Sequence, residues 1–284
     1  VHCAKLIADT AAPNRYGMKI PIYTAWKVDR FQELLQGYHD QDMVEWLRYG
    51  WPVNRPWWAP DPQQAQTNHG GARDNAHALD AYIAKEKALG AIIGPFVDIP
   101  FSERVGISPL NTQPRRDEPD RPRILMDCSS PQGYSVNDHI SNVEYIDALI
   151  SYDLPSVDDF AERIVTHGNG WAYKRDFSRY FHQIGADPGD SSLLGVRWRG
   201  VYYFCTMLPM GMRSSCYIGQ RVSTAIAWIL NQEGYWTLNY VDDIIGYQPT
   251  FDKAQEAFER TRDVLQEIGC AEATHKAIPP TQVI

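Results

Sequence analysis

Leu238-Asn239-Tyr240-Val241-Asp242-Asp243-Ile244-Ile245-Gly246 decides how the rest of the chain is read. Two adjacent carboxylates stand between short runs rich in Val, Ile and Tyr. Such runs form strands, which puts Asp242 and Asp243 at a tight strand–turn–strand junction. Neighbouring acids repel, and a cation joining them removes the cost. Hard oxygen donors suit Mg²⁺. The alternative is a solvated turn, because Asp is a common turn former. An aromatic-x-Asp-Asp string arises by chance in roughly one chain in 20 of this length. The pair therefore needs a third carboxylate and a nucleotide pocket elsewhere before it carries weight.

The composition bounds the answer. The 284 residues are 44% apolar, 22% charged and 12% aromatic, enough for one large core or two lobes. No apolar run reaches the length of a membrane span, and no secretory signal is visible. The chain does not begin with Met and is expected to be a fragment or a processed piece. Five cysteines are scattered without C-x-x-C spacing, which argues against a zinc site or a disulfide framework and for a reducing interior. A net charge of −8 argues against a general nucleic-acid coat. It leaves room for an enzyme whose acids hold metals and whose basic residues are local.

Upstream, apolar spacing from Val28 to Tyr49 predicts one or two short helices around Gly37. Residues 50–62 hold four prolines and three tryptophans. They read as an extended segment lying against an apolar surface, a clamp in preference to a ligand-stacking strip. Asp74 to Leu89 reads as a helix stopped by Gly90. Residues 105–128 read as a hairpin with a basic tip, where Arg115, Arg116, Arg121 and Arg123 suit either solvent or a phosphate clamp. A helix capped by Ser156 precedes a strand, Trp171 to Asp176, that delivers Asp176 at its end. Arg199-Gly200 joins two strands, Leu193 to Trp198 and Val201 to Met207. Helices follow at about Ser214 to Leu230 and at Phe251 to Ile268, the second closed by Gly269. Interleaved helices and antiparallel hairpins predict an α+β fold with helices on one face of the sheet.

Asp176-Phe177-Ser178-Arg179-Tyr180-Phe181, Leu208-Pro209-Met210-Gly211 and Tyr240-Val241-Asp242-Asp243 together resemble motifs A, B and C of reverse transcriptases, in order and at family-like spacing. The resemblance spans about residues 68–284. Several stretches are most similar to retrotransposons of the tyrosine-recombinase (DIRS/Ngaro) type: Arg123-Ile124 through Asn137-Asp138, Asp187-Pro188-Gly189-Asp190, Leu194 to Gly200 and the terminal Pro-Pro-Thr-Gln-Val.

The resemblance implies RNA-directed DNA polymerase activity on a polymerase right hand. Residues 1–67 would form an N-terminal extension, 68–150 the fingers and 151–284 the palm, with a fingers insertion possible inside the palm segment. A thumb and an RNase H region are expected outside these residues. Two Mg²⁺ ions, replaceable by Mn²⁺, would be held by Asp176, Asp242 and Asp243 with the backbone carbonyl of Phe177. Arg123 would face the α-phosphate and Arg115 or Arg116 the γ-phosphate. Lys276 would protonate the leaving pyrophosphate, the alternative being a solvated loop lysine. Phe181 would discriminate sugars, the alternative being a core aromatic. Met210 and Gly211 would line the nucleotide pocket, Gly211 by letting the backbone approach closely. The implied partners are an RNA or DNA template with its primer and dNTPs, in an intracellular setting without a membrane.

Three positions depart from the family pattern. Met210 stands where retroviral enzymes have Gln, Cys216 where a Pro is usual, and Tyr180 where a small residue is common. None removes a metal ligand. The competing reading is a catalytically silent, domesticated domain that binds nucleic acid or protein. Intact acids at 176, 242 and 243 argue against it, as Phe181 argues against an RNA polymerase.

Overall fold

The computed structural model describes residues 24–115, 121–146, 148–150 and 154–283. Helices α1 (Val28–Leu34), α2 (Asp42–Tyr49), α3 (Gly70–Asp74) and α4 (Ala76–Ala88) come first. Strands β1 (Ile92–Phe96), β2 (Ile107–Ser108), β3 (Leu110–Gln113), β4 (Arg123–Met126), β5 (Glu144–Tyr145) and β6 (Ala148–Leu149) follow. The rest comprises α5 (Val157–His167), β7 (Gly170–Asp176), β8 (Gly195–Trp198), β9 (Val201–Cys205), α6 (Arg213–Gln232), β10 (Thr237–Tyr240), β11 (Asp243–Gln248), α7 (Phe251–Ile268) and β12 (Ile278–Val283). Contacts divide the chain into two compact units. One holds Tyr49–Ile150 and Ile184–Ser215; the other holds Ala25–Arg48, Ser151–Gln183 and Cys216–Ile284.

The second unit is built on an antiparallel sheet in the order β10-β11-β7-β12. Its entry is set locally. Ser156 and Asp159 form a capping box that starts α5, satisfying donors at the helix N-terminus. β7 begins two residues after α5 reaches its C-cap at Gly168. Helix α7 runs from a Thr250 cap to Gly269, the bounds its periodicity predicts. Its buried stripe, Ala254, Ala257, Thr261, Val264, Leu265 and Ile268, recurs every three or four residues and packs on β7, β11 and β12. Gly269 sits at φ 76°, and a Cβ there would lie 2.2 Å from the Ala25 carbonyl oxygen. A side chain is thus barred twice, by conformation and by the segment crossing it. β12 carries Pro279 and Pro280 where its register with β7 shifts. Proline lacks the ladder donor, and β12 is an edge strand, where that loss is tolerated.

The first unit holds a four-stranded sheet in the order β1-β9-β8-β2. The pair β2–β8 runs parallel, an exception to the antiparallel pattern. β8 and β9 are joined by Arg199 and Gly200, both at positive φ, as a two-residue hairpin requires. Phe204 packs with Val105, Ile107 and Phe101 beneath this sheet. β3 and β4 pair as a separate hairpin, Gln113 opposite Arg123.

The structure corrects three local readings. The helix expected from Asp74 breaks at Asn75, so α4 starts at Ala76. Leu193 ends a short 3-10 turn, Pro188–Leu193, instead of opening β8. The tryptophan-rich segment is a clamp only in its first half. Trp51 and Val53 are fully buried, and Trp51 bonds with Gly185 and Asp187 through its backbone. Trp57 and Trp58 are 84% and 67% exposed. The Arg55 guanidinium donates to the carbonyls of Ala59 and Pro60, closing a turn on itself that leaves these two rings outside.

Candidate active site

Asp176 ends β7 and Asp243 opens β11, and the two are register partners across the antiparallel pair. Facing residues on such a pair have Cβ atoms about 4.5–5.5 Å apart, so pairing alone brings two acids of distant sequence together. Asp242 lies in the two-residue loop between β10 and β11, where Tyr240 pairs with Asp243. Its carbonyl accepts the Phe177 N–H at 2.8 Å, and the Asp176 carbonyl accepts the Ala273 N–H at 2.8 Å. Backbone bonds thus fix both acid-bearing segments.

The loop itself is strained. Val241 has φ 50°, a region that costs a β-branched residue about 1–3 kcal/mol. Gln220 of α6 holds it there. Its Oε1 accepts the Val241 N–H at 2.8 Å, and its Nε2 donates to the Asn239 carbonyl at 3.2 Å. Asn239 in turn donates to Ser223 and Thr224 of the same helix.

Two lysines meet the acids. Lys174 Nζ lies 2.7 Å from Asp243 Oδ2. Lys276 Nζ donates to both Asp176 oxygens, at 3.0 and 3.1 Å. Burial, and then the charges of Asp243 and Asp176, raise the Asp242 carboxyl above its ordinary value. Burial also raises Asp243, opposed by Lys174. Asp243 Oδ1 is buried without a hydrogen-bond partner. Three oxygen donors, mutual repulsion and an orphaned buried oxygen fit a hard divalent cation. As the side chains stand, no group of three or more His, Cys, Asp or Glu among the described residues is gathered closely enough to hold a metal.

Behind the acids, Arg175 and Glu272 form a buried ion pair, 4% and 8% exposed. Arg175 also donates to the Phe258 carbonyl at 2.8 Å and lies over the Phe258 ring. Phe177 is buried, its ring 4.9 Å from that of Tyr180. Phe181 is half-buried, and its edge abuts α6 at Gly219, where an added Cβ would lie 3.0 Å from the ring.

The remaining expected residues belong to the first unit. Arg123 is exposed at the start of β4, and Arg115 is exposed just beyond β3. Arg116 lies outside the described residues. Met210 is 42% exposed. Gly211 has φ 111°, and a Cβ there would lie 2.2 Å from the Met126 carbonyl oxygen. This glycine is required by the chain's own backbone at the end of β4. Asn137 locks the same loop, donating to the Gly211 carbonyl and accepting the Arg213 N–H.

From sequence alone Lys174, Gln220 and Glu272 carry no role, and Asn137 enters only as part of a longer stretch. Lys174 had a signal, since two residues before Asp176 on a strand is the same face. The other three act through tertiary contacts that no local pattern announces.

No family model matches the chain, and no curated protein matches it. Solved structures do. The foamy viral protease-reverse transcriptase dRH in complex with double-stranded DNA aligns at TM-score 0.62 and 16% identity, over 91% of this chain and 45% of that one. The prototype foamy virus protease-reverse transcriptase CSH mutant aligns at 0.59 and 16%, over 91% and 34%. The foamy viral protein with an RNA/DNA hybrid aligns at 0.56 and 16%, over 93% and 35%. The chain has the α+β fold of these reverse transcriptases and spans a third to just under half of their length. No helix among the described residues is long and apolar enough to cross a membrane.

Proposed function

We propose that this chain is the catalytic core of an RNA-directed DNA polymerase of the tyrosine-recombinase (DIRS/Ngaro) retrotransposon type. It would add deoxynucleotides to a primer 3′-hydroxyl on an RNA or DNA template inside the cell. The register pairing of Asp176 with Asp243, with Asp242 on the adjoining loop, carries this reading. The reverse transcriptase fold and the nucleic acids named for its structural neighbours support it. Residues 68–150 are assigned to fingers and 151–284 to palm. The clustering of Ile184–Ser215 with Tyr49–Ile150 supports a fingers insertion within the palm segment.

Two Mg²⁺ ions would supply Lewis-acid activation of the hydroxyl and offset charge on the triphosphate. Asp176, Asp242, Asp243 and the Phe177 carbonyl would hold them. Lys276 would give its proton to the departing pyrophosphate. Phe181 would exclude a 2′-hydroxyl. Arg123, with Arg115 or Arg116, would bind phosphate oxygens, and Met210 and Gly211 would border the nucleotide.

Primer extension on a defined template tests the reading. Activity is expected with Mg²⁺ or Mn²⁺ and lost with a chelator. Asp242→Asn is expected to lose at least ~10³ in rate, about 4 kcal/mol of transition-state stabilisation, and to keep its melting temperature. Extension by Asp242→Asn at the parent rate would overturn the assignment.

A further inference from the structure

Lys174 and Asp176 stand two apart on β7, so both side chains leave the same face. Ile245 of β11 is the register partner of Lys174, and Asp243 is two residues before it. Lys174 therefore reaches Asp243 diagonally, a span open to a long side chain. It takes Oδ2 at 2.7 Å and leaves Oδ1 buried without a partner. Lys276 takes both oxygens of Asp176 from the other direction. Asp176 is 9% exposed and Lys276 51%, so the ammonium, on a flexible stem, is the mobile member of the pair.

A hard divalent cation needs carboxylate oxygen at about 2.0–2.1 Å. It would meet the Lys276 ammonium within hydrogen-bond distance of the same two oxygens, and like charges that close repel strongly. The carboxylate has lone pairs for both, so the conflict is electrostatic, each cation weakening the hold of the other. At Asp243 the conflict is partial, since one oxygen is taken and the other is spare.

Resting on the polymerase reading above, we propose that divalent cation and lysine compete for these acids, so that metal loading releases Lys276 from Asp176. Lys174 is a positioning residue that tempers the charge of Asp243 and opposes metal there. The exchange has a consequence for order. The ammonium assigned to the leaving pyrophosphate is tied to Asp176 until metal displaces it, so the proton donor is freed only at a loaded site.

Mn²⁺ binding to the whole chain, read by electron paramagnetic resonance without nucleotide or primer, tests this. Lys276→Met and Lys174→Met should each bind Mn²⁺ about 2- to 5-fold more tightly than the parent, the scale of one partly exposed ion pair. Lys174→Arg, which keeps the pair, and Lys253→Met, exposed at the start of α7, should match the parent. In the parent, Mg²⁺ should raise acetylation of Lys276 by an amine-reactive ester, scored against Lys253 by peptide mass spectrometry. Circular dichroism checks that each variant folds, with Lys276→Gln as the second substitution. Unchanged or weaker Mn²⁺ binding by both methionine variants, with a parent that binds, overturns the competition and leaves the polymerase reading standing. Absence of Mn²⁺ binding by parent and variants alike overturns the metal site and the competition together.

Discussion

The Gln220 side chain accepts the Val241 N–H at 2.8 Å. A helix residue thereby holds the one strained peptide of the loop that carries Asp242. Gln220→Ala removes that acceptor and the donor to Asn239. The expected loss is about 1–2 kcal/mol of stability and a larger loss of polymerisation rate, because the loop relaxes toward negative φ and carries Asp242 with it. Urea unfolding beside single-nucleotide insertion kinetics checks this. A rate that falls no further than stability accounts for would give Gln220 a packing role only.

Phe181 follows Asp176 by five residues on the segment leaving β7, with its ring edge against Gly219. A packed ring cannot yield space cheaply, and overpacking costs about 1–3 kcal/mol. Phe181→Val or Phe181→Ala is expected to raise ribonucleotide use relative to deoxynucleotide use by about tenfold to a hundredfold, with a small fall in deoxynucleotide use. Insertion kinetics with both sugars, beside a melting curve, decides. An unchanged ratio with a loss of several kcal/mol in stability would make Phe181 a core aromatic.

Arg175 and Glu272 form a buried pair whose two members have unequal meaning alone and together. Glu272→Ala strands a buried guanidinium and is expected to cost about 3–5 kcal/mol. Arg175→Met combined with Glu272→Leu removes both charges and is expected to cost far less. Denaturant melts of the three proteins check the prediction; equal losses for single and double variants would contradict it.

Burial raises the Asp187 carboxyl to about 6, against the pull of the Gly189 N–H. Its neighbours Asp190, also raised by burial, and Arg104 act in opposite directions on it. The folded value lies above the unfolded one of about 3.9, so the folded state holds the extra proton between them. Its contribution is fully present below about pH 4 and is lost as pH rises through 6. Asp187→Asn is expected to gain up to ~2–3 kcal/mol on the parent between pH 4 and pH 7. Urea midpoints at both values test it, and a constant difference would refute it.

Much of the fold could be read because its signals are local. The stripe of α7 and Gly269 give that helix its bounds, and the structure adds the Thr250 cap. Alternation and a two-residue loop state the hairpin that presents Asp242 and Asp243. The partnership of Asp243 with Asp176 is different, since 67 residues separate them and only the sheet order β11-β7 joins them. Sequence singles out Asp242 and Asp243 by their place between two apolar runs and Asp176 by its place at a strand end, the resemblance joins them, and pairing supplies their adjacency. Trp57 and Trp58 misled because composition cannot say whether a turn closes on itself, and Arg55 decides that with two backbone carbonyls. Gly211 reads in sequence as a place where the backbone comes close to a nucleotide, whereas the close neighbour visible in the fold is the Met126 carbonyl.

The placement of β7 between β11 and β12 has a consequence for how the chain is made. Both partners of β7 come later in the sequence, β12 about a hundred residues later. At about 5–20 residues per second of synthesis, β7 waits for several seconds with two open edges. An open edge of paired-ready N–H and C=O groups is a template for the wrong strand. A chain stopped before Ile278 keeps one such edge permanently, so C-terminal trimming at this point should trade a shorter protein for one that self-associates.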